Sequence, residues 1–280
     1  MADASDIGEW EIPQRELNIF HAKHIGQGSF ADVYLAEWRE TVVVAKVFNA
    51  YTINEKCFLI EREIDIMTKL HHPNIVQILG YVKAPFTIVM EYIPRGDLLQ
   101  NLRRLKKAQK LQIMEDCLQS LCYFHNRRPL SLIHRDIKLS NILLTKSRTA
   151  KIADFGLSRL LLCNQHVNSQ TSISSLDVDN ELTRSVGTAR YKAPEMTGRM
   201  YTNKVDVYAL GIVFYELLEE KRYDPKAGFE WSRAPSTLKQ LICECMLGSE
   251  PSDRKSAGEI LRRLREKRRK RAACWSTGAL

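Results

Sequence analysis

Apolar and polar positions along this chain change their period near residue 96. Before that point strand-like runs dominate, and residues 19–26, 33–38 and 41–48 read as consecutive strands parted by turn residues. Residues 57–70 interrupt the strands with a helical period that sets Ile60, Ile64 and Met67 on one face. Glu63 shares that face, a charge among apolar side chains. Two further strands are expected at residues 75–81 and 86–92. After Pro94-Arg95-Gly96 the pattern is helical: residues 107–126, with Leu111, Met114, Leu118 and Leu121 in phase, then 205–219, 237–246 and 257 onward. The expected fold is α+β: a small five-stranded antiparallel β lobe with one helix, joined near residues 91–96 to a larger α-helical lobe. The boundaries read as an N-terminal extension to residue 14, the small lobe over 15–92, the large lobe over 93–266 and a basic tail over 267–280.

Composition adds little to this picture, with 44% hydrophobic and 27% charged residues in 280. No apolar run approaches the roughly 18 residues of a membrane helix, so no transmembrane segment is expected. The start MADASDIGEW has no cationic stretch followed by an apolar one, and Ala2 stands where N-myristoylation needs glycine. Seven scattered cysteines without zinc-site spacing read as reduced thiols, which favours a cytoplasmic location. The net charge of +9 changes the picture more. Residues 262–271, RRLREKRRKR, carry eight basic groups and one acid, so the basicity reads as a property of a tail. Past Leu264 that tail is expected to project into solvent as a solvated basic end, or as one with an anionic partner. The partners weighed are nuclear-import machinery, nucleic acid and anionic membrane, the first giving the nucleus as a second location.

The densest chemistry lies in residues 134–156, HRDIKLSNILLTKSRTAKIADFG. Asp136 is a candidate base, Lys138 a cation, and Asn141 and Asp154 two oxygen ligands for Mg²⁺, which together make a phosphoryl-transfer site. Gly26, Gln27, Gly28 and Ser29 lie between two strands, where glycines let backbone N–H groups approach phosphate oxygens. Lys46 sits inside the apolar run VVVAKVF and needs a partner or a ligand. Glu63 is the obvious partner, and the pair would orient Lys46 toward the α- and β-phosphates of a nucleotide.

Taken in order, these segments resemble the protein-kinase signature set from about residue 10 to about residue 265. The opening GEWEIPQRELNIFHAKHIGQGSFADVYLAEW, with HHPNIVQILGYV and DVYALGIVFYELL, resembles the tyrosine-kinase-like group of Raf-type, mixed-lineage-type, plant and protist kinases. The resemblance implies a bilobal kinase fold, ATP and Mg²⁺ as cofactors, and protein substrates. It also implies residue roles. Asp136 would orient the acceptor hydroxyl and take its proton, and Lys138 would neutralise the γ-phosphate. Met90 would stand at the back of the adenine pocket, Glu91 and Ile93 would bond adenine through their backbones, and Val33, Ala45 and Leu143 would sandwich the ring. Asp97 would reach the ribose, although a helix N-cap explains it almost as well. Met67, Ile78, His134 and Phe155 would form an apolar column. Asp206 would hold the catalytic loop, and Glu195 would pair with Arg254. Lys138 in HRDIKLSN and Thr188 in GTARY match the serine/threonine type, with Thr188 bonding Asp136 and Lys138. The alternatives kept are a dual-specificity kinase and a pseudokinase scaffold.

Three departures modify the resemblance. Ala31 replaces the third glycine of the phosphate loop, and its methyl is expected to stiffen the loop and weaken nucleotide binding. The segment from Asp154 to Glu195 is long and polar, so disorder relieved by phosphorylation is expected, by an upstream kinase or by the chain itself. Thr183 and Ser185 are the first candidates, Ser172, Ser174 and Ser175 the second, and Arg135 the cation that would receive the phosphate. Residues 216–245 are short, so a docking helix is expected to be trimmed to YDPKAGFEWSRAP.

Overall fold

The computed structural model describes residues 7–27, 31–49, 60–61, 63–128, 130–162, 188–197 and 201–276. It separates into two compact units, Met1–Pro94 and Arg95–Leu280.

The first unit is a five-stranded antiparallel sheet in the order β1-β2-β3-β5-β4. Its strands are β1 (Leu17–Gln27), β2 (Ala31–Trp38), β3 (Thr41–Phe48), β4 (Ile78–Val82) and β5 (Thr87–Glu91). Valine-rich β3 is central, which suits β-branched side chains, and it buries Val43, Ala45 and Phe48. A helix, α1, described at residues 60–61 and 63–68, buries Ile60, Glu63, Ile64 and Met67 as its period requires. The expected start of this helix at residue 57 lies outside the described residues.

Two expectations change here. The stretch read as an N-terminal extension contributes to the core: Ile12 is 4% exposed and its N–H donates to the Tyr81 carbonyl at 2.7 Å. Gly80 makes room for it, because a Cβ there would come within 2.7 Å of Ile12 and 2.6 Å of the Trp10 carbonyl. Ala31, expected to stiffen the phosphate loop, opens β2 opposite Phe48 and is 5% exposed, so its methyl also fills core space.

The second unit holds α2 (Leu98–Asn101), α3 (Lys107–His125), α4 (Lys204–Glu219), α5 (Ser236–Cys245) and α6 (Ala257–Ser276). Two ribbons accompany them, pairing β6 (Leu130–Ile133) with β9 (Arg159–Leu162) and β7 (Ile142–Leu144) with β8 (Ala150–Ile152). Runs of three or four residues are too short to show a period, so the helical reading of this half missed them. α4 is mostly apolar and is buried along nearly all its length, its three acids included. Between α4 and α5 the chain forms no helix, in keeping with the short sequence there. That connection is fastened by Glu219, whose carboxylate accepts the backbone N–H groups of Ser232, Arg233 and Ala234 at 2.9–3.0 Å. Tyr215, Tyr223, Phe229 and Trp231 pack edge-to-face and stacked beneath it.

α6 overturns the expectation for the basic tail. The helix continues to Ser276 and lies along α3, where Arg265 and Arg268 bind the Glu115 carboxylate at 2.5 and 2.7 Å. Glu115 is 8% exposed, a buried acid that needs cations, and the tail supplies them. Burial raises its pKa, but the two guanidinium groups outweigh burial and hold the carboxyl below the usual range. A depressed folded-state pKa gives stability that is complete above the unfolded value and is lost as pH falls through the folded one. Glu115→Gln should therefore melt at a lower temperature than wild type at pH 7. In thermal denaturation the difference should shrink as pH drops below about 4, the range of an unperturbed glutamate.

Candidate active site

In the first unit, Lys46 Nζ lies 2.7 Å from Glu63 Oε1, with side chains 17% and 6% exposed. Strand pairing sets Val33 opposite Lys46, and Val44 and Ala45 opposite Met90 and Val89. The Lys46 ammonium also lies 5.3 Å from the centre of the Phe48 ring. Gly26 and Gln27 end β1 opposite Val33 and Asp32, while Gly28 and Ser29 lie outside the described residues. The Glu91 N–H is spent on the Gln77 carbonyl at 3.0 Å, so of its backbone groups only the carbonyl suits an adenine contact. Ile93 is buried.

In the second unit, the loop after β6 is held from below by one buried carboxylate. Asp206, fully enclosed in α4, accepts the N–H groups of His134 and Arg135 and the Nε2–H of His125, all at 2.9 Å. Arg135 takes a left-handed φ of 68°, uncommon for a residue with a Cβ. The loop thereby turns Asp136 back over His134. His134 Nδ1 accepts the Asp136 N–H at 3.3 Å, so the other nitrogen, Nε2, carries the proton that bonds the Ala153 carbonyl at 3.1 Å. Phe155 and Phe124 pack against this ring, with His134 and Phe155 centroids 4.8 Å apart. Of the expected apolar column, His134 and Phe155 are thus in contact, and Met67 and Ile78 are core residues of the first unit.

The Asp136 carboxylate is saturated with donors. Lys138 Nζ reaches Oδ2 at 2.6 Å and Asn141 Nδ2 reaches it at 3.0 Å. The Thr188 N–H and hydroxyl reach Oδ1 at 3.2 and 3.3 Å, and Lys138 also donates to the Thr188 hydroxyl at 3.2 Å. Asn141 donates to the Asp136 carbonyl too, at 2.9 Å, so its amide nitrogen is committed. Asp154 follows Ala153, whose N–H donates to the Asn141 carbonyl at 2.8 Å, and is exposed at a φ of 65°. The register of β7 with β8 continues to set Asn141 opposite Ala153, the residue before Asp154. Two protein oxygens suit a hard cation that completes its shell with water and phosphate.

The flanking platform is fixed by two further acids, Glu195, which is half-buried, and Glu216, which is fully buried. Glu195 and Arg254 form a bidentate pair at 2.6 and 2.9 Å, and the Arg254 side chain is fully enclosed. Glu216 accepts the Tyr191 hydroxyl at 2.5 Å and the Tyr223 N–H at 2.9 Å. Burial, followed by the Glu216 charge, pushes the Tyr191 phenol well up. Leu143 lies in β7 and bridges to Asp97. Asp97 is the N-cap of α2, its carboxylate accepting both the N–H and the side-chain amide of Gln100. Arg135 donates through Nε to the Leu157 carbonyl and through Nη1 to the Tyr201 hydroxyl. Thr183 and Ser185 lie outside the described residues. His125, Glu216 and Tyr201 escaped the sequence reading. For Glu216 the signal was available, since an acid within an apolar helix marks a buried anchor just as Glu63 does.

The protein kinase domain family matches residues 20–264 of the chain. The serine/threonine-protein kinase VIK of Arabidopsis thaliana is 33% identical over 91% of this chain and 61% of its own length. The serine/threonine-protein kinase CTR1 of the same plant is 37% identical over 76% of this chain and 25% of its own. The probable serine/threonine-protein kinase drkD of Dictyostelium discoideum is 36% identical over 79% and 16%. The chain thus spans about three fifths or less of the length of these curated relatives.

Asp206→Asn replaces one acceptor oxygen with a donor facing N–H groups. Urea denaturation should register a loss of roughly 1–3 kcal/mol for each donor left unpaired.

Proposed function

The chain belongs to the protein kinase domain family, and on that premise we propose that it is a serine/threonine protein kinase. It would move the γ-phosphoryl group of ATP onto Ser or Thr hydroxyls of protein substrates. The observation that carries this reading is the Asp136 carboxylate held by Lys138, Asn141 and Thr188 at 2.6–3.3 Å. A carboxylate gripped this way has a fixed direction, which an acceptor hydroxyl needs for in-line attack. Asp136 would orient that hydroxyl and accept its proton as the oxygen bonds phosphorus. Lys138 would offset charge on the transferred group, and Lys46, aligned by Glu63, would hold the α- and β-phosphates.

A protein kinase domain uses ATP with a divalent metal, and Mg²⁺ is the ion we assign, with Asn141 Oδ1 and Asp154 as its ligands. Bound there, it would neutralise phosphate charge. Choice of Ser or Thr rests on Lys138 and Thr188, and on relatives named as serine/threonine kinases.

Purified protein with radiolabelled ATP and a peptide library should yield phosphoserine and phosphothreonine, and Asp136→Asn should fall to background. Equal signal from both proteins rejects the kinase reading, and phosphotyrosine rejects the acceptor assignment.

We further propose control by phosphorylation at Thr183 or Ser185, from an upstream kinase or from the chain itself. Arg135 would exchange a present partner for the phosphate. Mass spectrometry of active protein should find phosphate between residues 165 and 188; active protein without it removes this form of control.

A further inference from the structure

The fold gathers more positive charge at one place than the sequence of the tail discloses. Residues 98–114 carry five cations, Arg103, Arg104, Lys106, Lys107 and Lys110, and no acid. The later part of this stretch opens α3, and α6 runs antiparallel to α3. A Cβ on Gly258 would lie 3.9 Å from Cys122 Sγ, Arg265 binds Glu115, and Arg268 binds Glu115 and Gln112. The pairs 258/122, 265/115 and 268/112 share one register, and its extension toward the start of α3 sets residue 269 level with 111 and residue 273 level with 107. With +5 from residues 98–114 and +7 from residues 262–271, the two segments hold +12 in a chain of net charge +9, so all other residues sum to −3.

The acids close by are already engaged. Glu115 serves two arginines, Glu220 serves Lys110 and Arg233, Glu266 serves Arg262 and Glu259 serves Arg263. Among the described residues, no ion pair occupies Arg103, Arg104, Lys107, Lys267 or Arg269. Like charges this dense repel one another, and a polyanion relieves that repulsion while releasing its own counterions.

The geometry selects among polyanions. Lys267 and Arg269 are two residues apart on a helix, so they point to different sides, and Arg103, Arg104 and Lys107 come from a separate segment. A bilayer engages one face of a helix and needs exposed apolar side chains on it. Among the described side chains, the large apolar ones of α6, Ile260, Leu261 and Leu264, are buried, and the exposed large ones, Ile25, Val42 and Tyr92, belong to the first unit. A cationic surface drawn from two segments suits instead the two phosphate strands that border a groove about 12 Å wide. Residues 98–114 hold no aromatic side chain for stacking on bases. We propose that α6 and the α2–α3 connection form a docking surface for the phosphate backbone of nucleic acid, without preference for base sequence.

The test is fluorescence anisotropy of the full chain with a labelled random-sequence DNA duplex, titrated with NaCl. The logarithm of Kd should rise linearly with that of salt concentration. Arg103→Ala/Lys107→Ala and Lys267→Ala/Arg269→Ala should each reduce the slope by about 2, near 0.9 per phosphate contact, with unchanged melting temperature. No binding at low salt overturns the proposal. So does an unchanged slope in the Arg103/Lys107 variant, which would assign binding to the tail alone. Capture by phosphatidylserine vesicles without binding to the duplex overturns it in favour of a membrane.

Discussion

The second unit depends on one enclosed carboxylate. Asp206 receives three hydrogen bonds inside α4, from His125, His134 and Arg135, and no water reaches it. A buried anion is costly unless every lone pair in reach is used, so these donors cannot wander without exposing it to an uncompensated interior. Two of the donors are consecutive backbone N–H groups, and fixing both defines the peptide plane between them. That constraint accounts for the left-handed Arg135 and for the direction in which the chain leaves it toward Asp136. The strain of an unusual φ is of order 1–3 kcal/mol, which charge-assisted hydrogen bonds of this number can offset.

α4 extends the same device along its length. A helix buried on all sides has no solvent face for polar residues, so each acid it carries must find donors in a neighbouring loop. Asp206 fixes the loop of Asp136, Glu216 fixes the platform at Tyr191 and the chain at Tyr223, and Glu219 fixes residues 232–234. The loops carry the chemistry, and the helix gives them common reference points. Positions on loops become precise when they are tied to a rigid element, and three carboxylates on one helix do this for three loops.

Much of this was legible in the sequence because period and charge spoke together. Lys46 and Glu63 were each anomalous in an apolar context, and two opposite charges so placed, seventeen residues apart, pointed to each other. The stretch 134–156 was legible because its polar residues sit at fixed offsets between short apolar runs. What escaped depends on contacts distant in sequence. Ile12 looked like part of an extension because one apolar residue has no period, and only Gly80 reveals the space it fills. Asp97 fitted a ribose contact and, almost as well, a helix N-cap, and its hydrogen bonds to Gln100 show the N-cap. Ala31 was read through a loop motif, and its place in the β2–β3 ladder adds a core role for its methyl.

The basic tail shows why composition misled most. A net charge is a sum over the chain and carries no address, so eight cations in ten residues drew attention to those ten. The acid that accounts for part of them, Glu115, lies 150 residues earlier and is visible only through the Arg265 and Arg268 contacts. Once α6 is pinned there, its remaining cations lie along a helix that begins among cations of its own. Two segments, each tolerable alone in water, then share a neighbourhood where their repulsion adds and local acids are spent. Screening at physiological salt reaches only about 8 Å, so charges on adjoining helices still feel one another. The positive charge is therefore a property of the α3–α6 pair, created by packing and absent from either segment taken alone.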